Sequence, residues 1–424
     1  MGLPGTNTQK QVSTSPQLLE KIWWISLFVM LAAGGIAIFY RITDGLASTN
    51  LSSLMPWGAW IAFYIFFVGL SAGSFLLSTL IIVFGMERFE VVGRAALFTA
   101  IIAMIVALTF VLLDLGRMDR FLNAMIYWNL TSILAWEVHF YLLYIVLLVA
   151  ELYLMIRTDL IRLHQESTGW KKKLYGILTI GSTDLSPESR LNDKKWMKIL
   201  GYIGIPLAIF GVHGGTGTLF AVVKARVYWN SALFPIIFVL SALVSGTALL
   251  TFIYIISQKV RKLHVNIDVV KALAQLMAFF LIIDLSLEFY EWGVSGYGLE
   301  HEHMAVLATM FAGKHAWSFW GFQMFLGAVL PLYLIFSKRT RESVTALAIA
   351  SISIVLGIIG VRFNIVVPAL IVPVIEGYPT GDYFPSWVEW VSSLGVVAMG
   401  MMLYTIGAKL LPLDEDENEV LSHE

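Results

Sequence analysis

The sequence predicts an all-α polytopic membrane protein of about ten transmembrane helices, arranged as two parallel-repeated four-helix bundles plus two flanking helices. Three observations carry that prediction. Hydrophobic residues make up 58% of the chain against 13% charged, with a mean hydropathy of +0.78, far from the balance of a water-soluble domain. Apolar stretches long enough to cross a bilayer recur along the whole length. The chain also repeats itself in order. Gly-Leu-Ser-Ala-Gly-Ser-Phe-Leu-Leu-Ser at 69–78 returns as Ala-Leu-Val-Ser-Gly-Thr-Ala-Leu-Leu-Thr at 242–251. Phe-Val-Leu-Leu-Asp-Leu at 110–115 returns as Phe-Leu-Ile-Ile-Asp-Leu at 280–285, and Ala135-Trp136 is echoed by Ala316-Trp317.

The elements follow in order. The first twenty residues are rich in Ser, Thr, Gln and Pro and lack a basic n-region, so the apolar stretch at 22–41 reads as a retained helix rather than a signal peptide. With its outer loop it forms an N-terminal unit, 1–56. Spans at 57–85, 95–115, 132–157 and 198–223 make a first four-helix unit, 57–230, interrupted by a polar cytoplasmic loop at 158–197 containing Lys171-Lys172-Lys173. Spans at 231–258, 268–292, 317–337 and 343–373 make a second unit, 231–373. A last span at 388–411 and an acidic tail, Asp414-Glu415-Asp416-Glu417-Asn418-Glu419, complete a C-terminal segment, 374–424. An even number of spans per unit keeps its orientation, so the repeat is parallel rather than inverted.

Topology follows from the cations. With the N-terminus in the cytoplasm, 21 of the 28 Lys and Arg fall on the cytoplasmic side, from Lys10, Lys21, Arg88 and Arg94 to Lys409, with a concentration between Arg157 and Lys198. Both termini are then cytoplasmic. Cysteine is absent, which excludes disulfides, cysteine-ligated iron–sulfur clusters and zinc–thiolate sites within this chain. A net charge of −1 gives no reason to expect a nucleic-acid partner.

Polar residues in or near the spans gather toward the outer face. Asp114 ends the third span and Arg117 follows it. Glu137 and His139 lie just inside the fourth, and His213 lies about ten residues from the outer end of the fifth. Asp284, Glu288 and Glu291 share one helical face by their i, i+4, i+7 spacing, and Arg362 stands alone within the ninth span. Ionisable groups are costly in lipid and mark sites or ion paths. Two histidines and a carboxylate at similar depth suit proton-coupled chemistry, because His titrates near neutrality and burial tunes Glu. Competing assignments exist: Asp114 pairing with Arg117, Arg362 serving only to neutralise Asp284 or Glu288, and terminal Trp and Tyr acting as interfacial anchors.

These residues resemble a known family. Trp57-Gly-Ala-Trp-Ile-Ala-Phe-Tyr64 running on to Gly73, Leu113-Asp114-Leu-Gly-Arg117 and Ala135-Trp136-Glu137 are similar to the NrfD/polysulfide reductase membrane subunits. His213-Gly-Gly-Thr-Gly, Lys224-Ala-Arg226 and Tyr383-Phe-Pro-Ser-Trp387 resemble the ten-helix branch with HybB-like and DsrP-like members. The resemblance implies a prokaryotic inner-membrane subunit with an exchangeable menaquinone or ubiquinone near the outer face and no haem or iron–sulfur cluster of its own. It implies a four-cluster ferredoxin-like iron–sulfur partner outside the cytoplasm, and further redox subunits such as a molybdoenzyme or multihaem cytochrome c. Carried over by position, His213 bonds a quinone carbonyl or takes its proton, Glu137 and His139 accept protons and orient the ring, and Asp114 and Arg117 shape the pocket rim. Asp284, Glu288 and Arg362 form a proton path, and no metal site is implied. A single-haem b-type anchor using His139 and His213, or a proton-linked transporter using the buried acids, are the alternatives. The transporter fits poorly, because alternating access places its site near the midplane.

Overall fold

The computed structural model describes residues 16–86, 89–375 and 377–413. Lys10, Arg88, His423 and the acidic run 414–419 lie outside the described residues. Ten helices are long and apolar enough to span a membrane: α1 (Pro16–Thr43), α2 (Ala59–Phe84), α3 (Glu90–Asp114), α4 (Ile133–Glu166), α5 (Pro187–Ala221), α6 (Phe234–Val260), α7 (Ile267–Tyr297), α8 (Ser318–Phe336), α9 (Val344–Ile371) and α10 (Trp387–Leu410). No strand occurs among the described residues. The protein is an all-α, multi-pass membrane protein.

The main departure from the sequence reading is at 158–197. The polar segment is largely helical: α4 continues to Glu166, a short helix runs from Gly169 to Leu178, and α5 begins at Pro187. Local chemistry accounts for this. Ser186 caps α5 by accepting from the Ser189 amide, with Pro187 at the first helical position. Buried Arg157 on α4 pairs with Asp193 on α5 at 2.7 Å and donates to Ser182 and Ser189, tying the two extensions together. A buried pair so satisfied holds its geometry, and removing either member leaves an uncompensated charge.

Helices α2, α6 and α9 form the centre, with α3, α4 and α5 around α2 and α7 and α8 around α6 and α9. α1 packs chiefly on α10 and leaves Leu19, Ile25, Phe28, Ile36 and Phe39 exposed. An apolar outer face of that kind belongs against lipid tails. Gly73 on α2 meets Gly246 on α6, and a side chain on either would overlap the other's backbone. These are the residues that the 69–78 and 242–251 segments align. Small residues permit such backbone contact, and packing is what joins helices in lipid.

A break in α5 positions the site. Pro206 has no N–H to donate, and the chain from Leu207 to His213 opens into wide turns before regular helix resumes at Gly214. A similar wide-turned stretch starts α8 over Ser318–Val329. The widening in α5 ends at His213, which is 1% exposed.

Candidate functional site

On the face of the bundle where α3 ends, here the Asp114 face, five helices bring polar side chains to a common depth. Tyr64 lies five residues into α2 and Glu137 four residues into α4. His213 lies eight residues before the end of α5 and Arg362 nine before the end of α9, about 12–14 Å along each axis. Tyr141 and Thr216 come from the next turns of α4 and α5.

Glu137 is buried at 2% exposure. Its Oε1 accepts from the hydroxyls of Tyr64 (3.0 Å) and Tyr141 (2.6 Å), while Oε2 has no partner. The two tyrosine oxygens are themselves 2.5 Å apart. Tyr141 also meets the Thr216 hydroxyl at 2.8 Å, and Thr216 donates to the Val212 carbonyl at 2.9 Å. Three hydroxyl hydrogens thus serve five contacts, more than they can satisfy at once. Such a chain holds one proton in alternative places at similar energy, which is what proton transfer needs.

His213 faces the same region from α5. Gly69 on α2 leaves the space that its ring occupies: a Cβ there would sit 3.2 Å from the imidazole and 3.5 Å from the Arg362 guanidinium. Arg362 Nη2 lies 3.3 Å from His213 Nε2 and donates to Ser241 Oγ at 2.9 Å. Arginine can only donate, so Nε2 is the accepting nitrogen and the imidazole hydrogen sits on Nδ1. Nδ1 has no partner. His213 is therefore a buried N–H donor with no acceptor within the chain.

Arg362 is completely buried, with its guanidinium 4.7 Å from the Phe238 ring. A cation at this depth costs about 3 kcal/mol, and one neutral hydrogen bond returns about 1 kcal/mol. The remainder is offset by the acids of α7. Asp284 and Glu288 are both buried, and both act on Arg362 electrostatically without reaching ion-pair distance. Glu288 accepts from Gln323 on α8 at 3.0 Å, and Gln323 accepts from Asn364 on α9 at 2.7 Å. A cavity of about 30 Å³, lined by Tyr228, Phe238, Glu288, Gln323 and Asn364 among others, adjoins this group. It has room for water rather than for a ring. Arg362 therefore links the two units, touching His213 of the first while balancing Asp284 and Glu288 of the second.

Two expected members are elsewhere. His139 lies on another face of α4: its Nδ1 donates to Ala135 O at 2.7 Å, and its ring stacks on Trp128 with centroids 4.0 Å apart. It shares no hydrogen bond or ring contact with Glu137 or His213, because two residues along a helix point some 200° apart. Arg117 does not pair with Asp114. It forms a two-pronged pair with Asp119 at 3.0 and 2.9 Å, both side chains more than half exposed, and that bond draws the Asp119 carboxyl below its usual range. The cation beside Asp114 is buried Arg41 of α1, which donates to the carbonyls of Leu113 (2.8 Å) and Leu115 (2.6 Å). A guanidinium on the last carbonyls of α3 favours that helix end and fixes α1 to it.

Sequence reasoning missed Tyr141, Thr216, Gln323, Asn364 and Arg41. For Tyr141 the signal was present, four residues after Glu137 and so on the same face. Thr216, Gln323 and Asn364 carry no signal of that kind, since uncharged polar residues within apolar helices are common.

Residues 47–374 match the family described as Polysulphide reductase, NrfD, which covers both four-helix units. The chain belongs to this family. Over nearly its full length it aligns with the selenate reductase C-type subunit of Mesobacillus selenatarsenatis, at 39% identity over 95% of this chain and 96% of that one. The Hdr-like menaquinol oxidoreductase integral membrane subunit of Archaeoglobus fulgidus is 26% identical over 93% and 94% of the two chains. The menaquinone reductase integral membrane subunit of Nitratidesulfovibrio vulgaris is 23% identical over 94% and 93%. The NrfD match takes in every residue of the Glu137–Tyr64–Tyr141–Thr216 network, His213 and Arg362. Among the described residues no group of three His, Asp or Glu is arranged to hold a metal ion.

Proposed function

We propose that the chain is the quinone-interacting membrane subunit of a respiratory oxidoreductase complex, working at the Asp114 face. The observation that carries this reading is the undersupplied hydroxyl chain on Glu137 beside the free Nδ1–H of His213. Quinol oxidation releases two protons and two electrons, and quinone reduction takes them up. His213 Nδ1–H donates to a quinone carbonyl oxygen. Glu137 Oε2 accepts or returns a proton at the ring hydroxyl, and Tyr64, Tyr141 and Thr216 spread it through their shared hydrogens. Arg362 holds the His213 tautomer. Menaquinone is the favoured ring, since two relatives carry menaquinol or menaquinone in their names.

The electrons need an acceptor or donor that a cysteine-free chain does not supply as a cluster, so an iron–sulfur partner docks on the Asp114 face, near Arg117, Asp119 and Arg120. The relative at 39% identity is named for selenate reductase, and a terminal oxyanion reductase is the fitting further subunit. The distribution of Lys and Arg places the 158–197 segment and both termini in the cytoplasm, with the Asp114 face outside an inner membrane. The repeated segments reflect a parallel duplication. Asp284, Glu288 and Arg362 form a proton path in the second unit, served by water in the adjoining cavity.

The test uses the intact complex, a naphthoquinone analogue for binding and a quinol for turnover. Glu137→Gln lowers turnover on the order of a hundredfold while binding stays within a few-fold. His213→Leu weakens analogue binding about tenfold, the worth of one hydrogen bond of some 1.4 kcal/mol. Wild-type turnover and binding in both variants would refute the assignment.

A further inference from the structure

Glu137, Tyr141, Tyr144 and Glu151 follow one face of α4 at intervals of four, three and seven residues, and all four are buried. The two carboxyls are about 21 Å apart along the helix, most of the roughly 30 Å hydrocarbon thickness. Glu137 belongs to the hydroxyl chain already described. Glu151 lies toward the opposite face and has no part in it.

The surroundings of Glu151 are unlike those of any other described acid. It is 0% exposed, and neither carboxyl oxygen has a hydrogen-bond partner. Among the described residues no lysine, arginine or histidine pairs with it. Three helices wall the pocket. A side chain at Gly201 of α5 would start 3.5 Å from Glu151 Oε1, beside the methyl groups of Thr79 and Val83 of α2. The Thr79 hydroxyl is turned away, donating to the Phe75 carbonyl at 2.9 Å. Toward the Asp114 face the neighbouring titratable group is Tyr144, which acts electrostatically with Glu151 and donates to the Ser71 carbonyl at 3.1 Å. Toward the other face stand the buried Arg157–Asp193 pair at 2.7 Å and the Arg94–Asp159 pair at 2.7 Å, the latter reaching in from α3. Arg157 is six residues from Glu151 on α4 and Asp193 eight from Gly201 on α5, about 9 and 12 Å along the axes.

An ionised carboxylate with neither cation nor donor is the costliest arrangement a buried side chain can have, whereas the same group carrying a proton is tolerated. Packing alone would be met at lower cost by Leu or Met. We propose that Glu151 is a proton-exchange site of the first four-helix unit, trading protons with the Arg157–Asp193 face and standing apart from the Asp284–Glu288 group. A proton joins one carboxyl oxygen and leaves from it, and no electron moves there. The exchange serves the quinone reading above, since its purpose is to connect the Glu137 chain with the face bearing the 158–197 segment.

The experiment uses the intact complex, in detergent for infrared difference spectra and in vesicles for proton exchange. Wild type shows a carboxylic-acid carbonyl band that shifts in D2O, and Glu151→Gln lacks it. In vesicles the variant loses proton exchange at the 158–197 face on the order of a hundredfold, with quinone-analogue binding unchanged. If Glu151→Gln fails to assemble, Glu151→Leu, which suits the apolar pocket, is read by the same two measures. A retained band together with wild-type proton exchange overturns the proposal. If wild type binds no quinone analogue, the quinone reading fails, while the D2O-sensitive band still decides whether Glu151 carries a proton.

Discussion

At the scale of single residues, unmet hydrogen-bonding capacity marks where chemistry belongs. Glu137 Oε2, His213 Nδ1 and both oxygens of Glu151 are buried without partners, while the hydroxyls of Tyr64, Tyr141, Tyr144 and Thr216 around them are bonded. Unsatisfied groups cost about 1–3 kcal/mol each, so a fold retains them where a ligand or proton completes them. His315, just ahead of α8, is a milder case. It is 3% exposed, neither ring nitrogen is bonded, and its ring lies 5.5 Å from that of Phe363. Burial pushes its pKa below the usual histidine value, with Lys314 adding to the shift and Asp382 opposing it. Folding therefore favours neutral His315. The stability this gives is complete above the unfolded value of about 6.5 and is lost as pH falls through it toward the depressed folded value. The thermal midpoint should decline between about pH 7.5 and about pH 5.5, and His315→Phe should make the decline shallower. Parallel declines in the two proteins would show that His315 carries no such linkage.

At the scale of elements, the contact of α2 with α6 decides whether the two units form one body. Gly73 against Gly246 brings backbone onto backbone, and a valine at 73 would drive into Ala242. Gly73→Val should destabilise the protein by about 3 kcal/mol or more, seen as a lowered thermal midpoint in detergent. Gly35→Ala on α1, where a methyl group would meet nothing, serves as the matched control and should leave the midpoint unchanged. Equal midpoints for Gly73→Val and wild type would mean that the helices separate without cost. The spans themselves were legible in the sequence, because twenty apolar residues in a row have few other uses. The helical character of 158–197 was not. It depends on Arg157 reaching Asp193 and two serines across sequence distance, and a polar segment with Gly, Ser and Pro carries no apolar period to announce it.

At the scale of the whole molecule, the sequence placed the acids, His213 and Arg362 toward one face, and they do converge there. It could not tell which side of each helix they occupy. His139 and Glu137 are two residues apart, and that small offset sends one to a surface tryptophan and the other to the buried network. Likewise Arg41, far off in sequence, holds the position beside Asp114 that proximity along the chain assigned to Arg117. The two units are joined through Arg362, so chemistry at His213 and protonation of Asp284 and Glu288 are electrostatically connected. A relay of that kind is how one unit's reaction biases the other's protons without any large movement.

The measurement that bears most directly on this account is photolabelling of the intact complex with an azido-naphthoquinone, followed by peptide mapping. The account predicts labels on α2, α4 and α5 around Tyr64, Glu137 and His213, suppressed by excess unlabelled quinone. Competable labels confined to α7 and α8 around Glu288 and Gln323 would contradict it and place the quinone in the second unit.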